Sequence, residues 1–398
     1  MNPAKLTPAL VRLMSLTCGA TVANLYYNQP LLAQFQQEFN VSVKSVGLVV
    51  TLTQAGYALG MFTLVPLGDK LERKKLILIM TGLSAVALAI SASASNIAML
   101  AASALLIGLT CVSAQLIIPF AAELAEPHQR GKALGTIVGG ILLGILLGRT
   151  VSGLIGGTFG WRAMYWTACG LMLLLAYLLK DFLPEAPPTF KGSYGELLKS
   201  TLTLVKQQPA LRESAFVASM LFASFSVFWA TLVFFLQTPP YDYGARGAGL
   251  FGLLGAAGAL TAPLVGKFID KAEPRDTIRL SVIVTLLSFI LFWFAGKTLP
   301  GLMLGIIFMD LGVQSGHVGN QTRVFALVPG ARSRLNMVYM TCYFLGGSFG
   351  SLVGAYCWNH WQWSGVCGAG VAFTTLGLLP LLRHKLAVTP RIELGLGL

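Results

Sequence analysis

Arg149 and Asp310 are the two charged residues that stand deep inside long apolar runs of this sequence. If those runs cross a bilayer, each charge costs at least a few kcal/mol on insertion scales and needs a partner or a task. Counted at 1.5 Å per helical residue from one common face, both lie roughly 22 to 25 Å deep. They are therefore expected to pair, or to bracket a polar cavity, across two halves of the chain; the alternative is a static ion pair holding the halves together. Downstream of Asp310 come Gln314, His317 and Gln321, spaced 4, 3 and 4 residues, which places all four on one helical face. A carboxylate that changes protonation as a cavity opens can couple proton movement to a solute, and His317 titrates near neutrality in water. Thr17, Thr21, Asn24 and Asn28 repeat the spacing near the N-terminus, where amides can bond a ligand or tie helices together. Gln54, Tyr57, Gln115, Asn336, Tyr339 and Tyr343 are secondary candidates. Phe222, Phe228, Trp229, Phe234 and Phe235 read as an aromatic wall facing lipid or packed in a core.

The elements that must position these residues follow from composition. The chain has 398 residues, 55% apolar and only 11% charged, far below the roughly one quarter charged of soluble domains. Twelve runs near the length of one crossing recur, near 9–33, 45–67, 76–94, 97–122, 133–157 and 161–180, then 210–236, 247–269, 278–296, 300–325, 335–357 and 364–383. Such runs exclude disordered, fibrous and disulfide-framework classes and predict an all-α polytopic membrane protein of twelve transmembrane helices in two six-helix pseudo-repeats. The first run is a full-length span with no cleavable leader before it, so the start is expected to be mature protein. The boundaries are a six-helix bundle over 1–181, a central linker over 182–208 holding Pro184, Pro187 and Pro188, a second bundle over 209–385 and a tail over 386–398.

The formal charge of +13 forms no stripe or patch, which argues against nucleic acid. Lys44, Arg162, Arg246 and Lys297 fall in loops of one face, Arg149 lies in a span, and the other 23 of the 28 basic residues fall on the opposite face. By the positive-inside rule that face is cytoplasmic and holds both termini. The six cysteines lie in or beside apolar segments without metal-ligand spacing and read as packing thiols.

Two matches at one offset mark a repeat: Pro8-Ala9-Leu10 returns as Pro209-Ala210-Leu211, and Asp69-Lys70 as Asp270-Lys271, each 201 residues on. The loop Pro66-Leu67-Gly68-Asp69-Lys70-Leu71-Glu72-Arg73-Lys74-Lys75 resembles the signature loop of the major facilitator superfamily, G-x-x-x-D-R-x-G-R-K, and Gly266-Lys267-Phe268-Ile269-Asp270-Lys271 keeps its leading Gly and Asp. Val65 and Glu72 replace the two signature glycines in the first copy. Glu126 to Gly135 resembles the family's span four to five connection, and Gly160-Trp161-Arg162 its entry to span six. The resemblance implies that Asp69 docks on the second half while Arg73 reaches Glu123 or the neighbourhood of Arg130, so that Asp69, Arg73, Glu123, Arg130 and Asp270 form a cytoplasmic gate. It also implies a cavity lined by spans one, four, seven and ten, which favours Asn24, Asn28, Gln115, Asp310, Gln314 and His317, with Arg149 beside them. The drug:proton antiporter branch usually has Gly-Pro in span five and an Arg in span four; here stand Gly148-Arg149 and Ala104. Gly140, Gly144, Gly148 and Gly346, Gly350, Gly354 keep the spacing that lets helices approach closely.

Gly346-Gly347-Ser348-Phe349-Gly350 satisfies G-x-S-x-G but lies in an apolar helix, not at a strand-to-helix elbow, so no catalytic residue is expected. There is no P-loop, dinucleotide fingerprint or metal-ligand motif, hence no cofactor and no metal site. The expected function is secondary active transport of a small organic solute across the cytoplasmic (inner) membrane by alternating access, as proton-coupled efflux from a monomer. A proton-coupled importer, an uncoupled facilitator, and a receptor or assembly subunit that has lost transport are the alternatives. The expected partners are the solute, protons and the lipid bilayer.

Overall fold

The computed structural model describes residues 6–126, 128–185, 193–255, 274–328 and 331–382, apart from the side chains of Asp69 and Pro274. Among these residues every regular element is helical. The first half comprises α1 (Pro8–Ala23), α2 (Leu32–Phe39), α3 (Val43–Thr63), α4 (Leu67–Lys70), α5 (Arg73–Ala92), α6 (Ile97–Thr110), α7 (Ser113–Leu124), α8 (Arg130–Phe159) and α9 (Trp161–Phe182). After α10 (Tyr194–Gln207) come α11 (Pro209–Leu236), α12 (residues 245–255), α13 (Pro274–Ala295), α14 (Leu299–Phe325) and α15 (Arg332–Leu382). Nine helical runs among the described residues are long and apolar enough to cross a bilayer, with α6 and α7 taken as one and α15 counted once. The chain is an all-α polytopic membrane protein.

Local chemistry explains where the helices begin and end, and where the expected spans need correction. The Thr7 hydroxyl accepts from Leu10 N, and Pro8 takes the first position of α1, where its missing N–H costs nothing. The expected single span over 9–33 stops early: α1 ends at Ala23, the chain turns through 24–28, and a 3-10 turn (Gln29–Leu31) leads into α2. Pro30 removes a backbone donor, so the helix cannot run on through it. A turn at Cys111 and Val112 likewise splits the run over 97–122 into α6 and α7. Gln362 (φ 50°, ψ −141°) breaks α15 into two helices, between the runs expected to end at 357 and begin at 364. The expected linker contains a helix: Ser193 and Glu196 form a capping box at the start of α10. Its Tyr194 hydroxyl donates to Thr63 O at 2.8 Å, and Arg212 of α11 donates to Val205 O and Lys206 O at its end.

The two glycine ladders do the same work in each half. A Cβ placed on Gly140, Gly144 or Gly148 of α8 would meet Ser15, Gly19 or Ala23 of α1; one placed on Gly346, Gly350 or Gly354 of α15 would meet Ser219, Ala223 or Val227 of α11. The second set of crossings follows the first by 206 residues on one helix and 204 on the other, so the close helix pair is built twice.

The halves meet along two seams. On one, Gly47 of α3 faces the Ala355 methyl of α15, Ser348 donates to Thr51 O at 2.9 Å, and the Thr51 and Ser351 hydroxyls lie 3.3 Å apart. On the other, Gly153 of α8 and Gly249 of α12 rest on one another's backbone, Thr150 donates to Gly249 O at 3.0 Å, and Arg246 to the Thr158 hydroxyl at 3.0 Å. Both seams hold the face opposite the loop 64–72.

Candidate functional site

At the middle of the seam stands Arg149, 2% exposed, on the inner face of α8. Its Nε donates to Gln29 Oε1 at 2.6 Å. Its guanidinium carbon lies 4.2 Å from the ring centre of Trp229, 4.6 Å from Tyr26 and 5.3 Å from Phe225, so three aromatic faces from both halves enclose the charge. Trp229 and Phe225 belong to α11, the most enclosed of the long helices. The wall expected to face lipid or fill a core turns inward here, because α11 is apolar on every side and its sequence carries no face signal.

Asp310 of α14 is equally enclosed, at 3% exposure, and its Oδ2 has no hydrogen-bond partner. Gly255 is the spacer: a Cβ there would sit 3.1 and 3.2 Å from the two Asp310 oxygens and 3.2 Å from the Trp229 ring. Gly252, one turn earlier, gives the same clearance to the Arg149 side chain. Among the described residues no ion pair within 4.0 Å joins Arg149 to Asp310, so the direct pair expected from depth is absent. The Trp229 ring lies 4.2 Å from the Arg149 guanidinium carbon on one side, and the space of Gly255 separates it from the Asp310 carboxylate on the other. The two charges instead border one aromatic residue, and a cavity of about 10 Å³ opens between Gln29, Arg149 and Trp229.

The remaining expected cavity residues divide. Asn24 donates to Cys111 Sγ at 3.5 Å, and Asn28 donates to Thr53 Oγ1 at 2.9 Å while its own oxygen stays unpartnered. Gln115 donates to the Tyr57 hydroxyl at 3.2 Å. His317 turns toward α15: the Tyr339 hydroxyl lies 3.0 Å from its Nδ1 and donates to its carbonyl, and Tyr343 packs on the ring. Gln321 donates to Asn336 at 3.1 Å, so the lower stripe of α14 ties helices together; Gln314 is half-buried on the same face. Tyr57, Phe344, Phe222, Phe225 and Trp229 run ring to ring across the seam to Arg149. Sequence reasoning missed Tyr26, Phe225 and Trp229 as neighbours of the charge; the signal open to it was the position of spans one and seven on the cavity side.

On the face bearing the loop 64–72, Arg73 pairs with Glu123 and donates to Gly68 O at 3.0 Å. Arg130 is exposed at the start of α8, and Asp270 and the side chain of Asp69 lie outside the described residues. The second half has a counterpart the sequence reading did not contain: Glu213 of α11 sits between Arg323 at 2.7 Å and Arg275 at 3.3 Å. The acid there comes from α11 and the arginines from α13 and α14.

An all-helical membrane body whose halves repeat one close helix pair, meeting at an enclosed polar site, is the build of a carrier. The Major Facilitator Superfamily profile matches residues 14–351 and again 250–393, and the chain belongs to that family. It is 44% identical over 375 residues to the uncharacterized transporter YgaY of Escherichia coli O157:H7, covering 94% of this chain and 95% of the relative. It is 28% identical over 381 residues to the probable sugar efflux transporter of Helicobacter acinonychis, covering 94% of each. The nucleoside transporter NupG has the same fold, with a TM-score of 0.75 at 17% identity over 94% of this chain and all of that one. The protein is a transporter and not an enzyme.

Proposed function

We propose that the protein is a proton-coupled secondary transporter that exports a small organic solute by rocking its halves about the Arg149–Trp229–Asp310 site. The observation that carries this reading is the enclosed carboxylate of Asp310, with one oxygen unpartnered and no cation within ion-pair distance among the described residues. Such a group is stable when it holds a proton or when an arriving charge compensates it, which is the property a coupling site needs. The basic-residue asymmetry supports an inner-membrane protein with both termini in the cytoplasm, and the contacts of Arg73 with Glu123 support a gate on that face. Residues 1–181 and 209–385 are the two moving bundles, in a monomer. The name of the Helicobacter relative supports export.

One observation favours import instead. Arg149 and Asp310 border the same indole, so a proton on Asp310 removes the charge that competes for Arg149, and a solute needing Arg149 would enter with the proton. Proteoliposomes loaded with a pH dye separate the readings. Solute-evoked proton movement that disappears in Asp310→Asn is expected, and its sign gives the direction. Solute flux that ignores the pH gradient equally in wild type and Asp310→Asn would overturn proton coupling.

A further inference from the structure

Three buried donors at the seam have no acceptor: Nη2 of Arg149, Nε2 of Gln29 and Nε1 of Trp229. Each of these residues is 2% exposed, and all three line one cavity of about 10 Å³, otherwise walled by Pro30, Leu232, Val233 and Ala248. The one side-chain acceptor in that lining, Gln29 Oε1, is occupied by Arg149 Nε. Three of the seven residues that line the cavity thus carry an unpartnered N–H, and none of them carries a free side-chain acceptor. A water there can accept two of these bonds, but its own protons find no side-chain oxygen. An anionic oxygen needs only donors around it, and the guanidinium is the donor best matched to a carboxylate.

We propose that the transported solute carries an anionic group, a carboxylate or its equivalent, held between Gln29, Arg149 and Trp229. This rests on the reading of the seam as the solute site. Gln29 and the three rings fix the plane of the guanidinium before any ligand arrives, so an approaching carboxylate meets a donor already aimed. The cavity admits one oxygen-sized group, which makes this the contracted form of the site. Gln29 and Arg149 belong to the first half and Trp229 to the second, so the walls part when the halves rock, and the anion is gripped only when they close.

The test is a thermal-shift titration of the full-length purified chain at fixed pH with lactate, benzoate, chloride, sorbitol and tetraethylammonium. Stabilisation by the carboxylates is expected. Trp229→Phe keeps a ring over the guanidinium but loses the N–H, and should weaken carboxylate binding about tenfold or more; Arg149→Gln should abolish it. Should Arg149→Gln fail to fold, Gln29→Glu carries the test, because its carboxylate would occupy Arg149 and exclude the anion. A response to tetraethylammonium or sorbitol alone, to chloride without the carboxylates, or to none of the anions would overturn the proposal, as would carboxylate binding unchanged in Trp229→Phe. Uptake into proteoliposomes keeps the two readings apart. Proton-driven flux of tetraethylammonium lost in Asp310→Asn would preserve the coupled carrier and sink the anion site; lactate binding sensitive to Trp229→Phe without lactate flux would preserve the anion site and sink the transport reading.

Discussion

The glycine ladder of α8 allows a graded test of how tightly the first half is built. An alanine Cβ at Gly144 would stand 2.1 Å from Gly19 O and 2.7 Å from Gly19 Cα, which is 1.3 Å short of the 3.4 Å at which ordinary contact begins. All the opposing atoms are main chain, so no rotamer can give way and the helices must separate. Overpacking costs about 1–3 kcal/mol even where side chains can adjust. Alanine returns up to about 1 kcal/mol of helix propensity, so Gly144→Ala should lose about 2 kcal/mol or more. At Gly148 the nearest atoms lie at 3.2, 3.2 and 3.3 Å, a misfit of a few tenths of an ångström, and Gly148→Ala should fall within about 1 kcal/mol of wild type. Gly170, exposed on α9, meets nothing within 4 Å among the described residues, and Gly170→Ala should be neutral or stabilising by up to about 1 kcal/mol. Unfolding in mixed micelles by titration with denaturing detergent reads all three. Equal stability of Gly144→Ala and Gly170→Ala would refute the close crossing of α1 and α8.

Two further expectations concern charges nearer the two faces. Arg73→Gln, which loses both the Glu123 and Gly68 contacts of a side chain only 6% exposed, should cost about 2 kcal/mol, whereas Glu123→Gln, at 51% exposure and screened by solvent, should cost less than about 1 kcal/mol; the reverse order in the same unfolding assay would count against the gate as drawn. Glu38 on α2 receives bonds from Trp161 and Arg162: its partial burial raises the carboxyl's pKa, but those two bonds and the Arg162 charge more than offset this and hold it below its ordinary value of 4.5. A carboxylate with a depressed folded pKa adds stability above its unfolded pKa and loses it as pH falls through the folded one. Wild type should therefore exceed Glu38→Gln by well under 1 kcal/mol at pH 7, with the gap closing below about pH 4.5; a gap that widens in acid would exclude the pairing.

What the sequence disclosed was whatever burial makes costly. Arg149 and Asp310 stood out because charge at membrane depth is rare, and the glycine ladders because their period matches a helix face. Arg73 and Glu123 came from a motif, and the structure pairs them. The arrangement around Arg149 was not legible, since Phe225 and Trp229 are apolar residues in a helix apolar all round and only packing against Arg149 of α8 gives them a direction. The break after Ala23 was hidden because the flanking apolar residues sustain the length of one crossing, while Pro30 lacks the N–H a continuing helix needs. Glu213 was missed for the opposite reason: an acid near the end of a span reads as solvated until Arg275 and Arg323 close over it.

The linker helix has unequal attachments. Two bonds from Arg212 splice the end of α10 to α11, whereas among the described residues one hydrogen bond, from Tyr194 to Thr63 O, fastens its start to the first half. If the halves rock as proposed, the weaker fastening is the one expected to yield, and α10 would ride as a lever on the second half with its tip swinging away from α3. A fluorophore on exposed Glu196, paired with one at Thr63, would turn each transport cycle into an optical signal without touching the solute path.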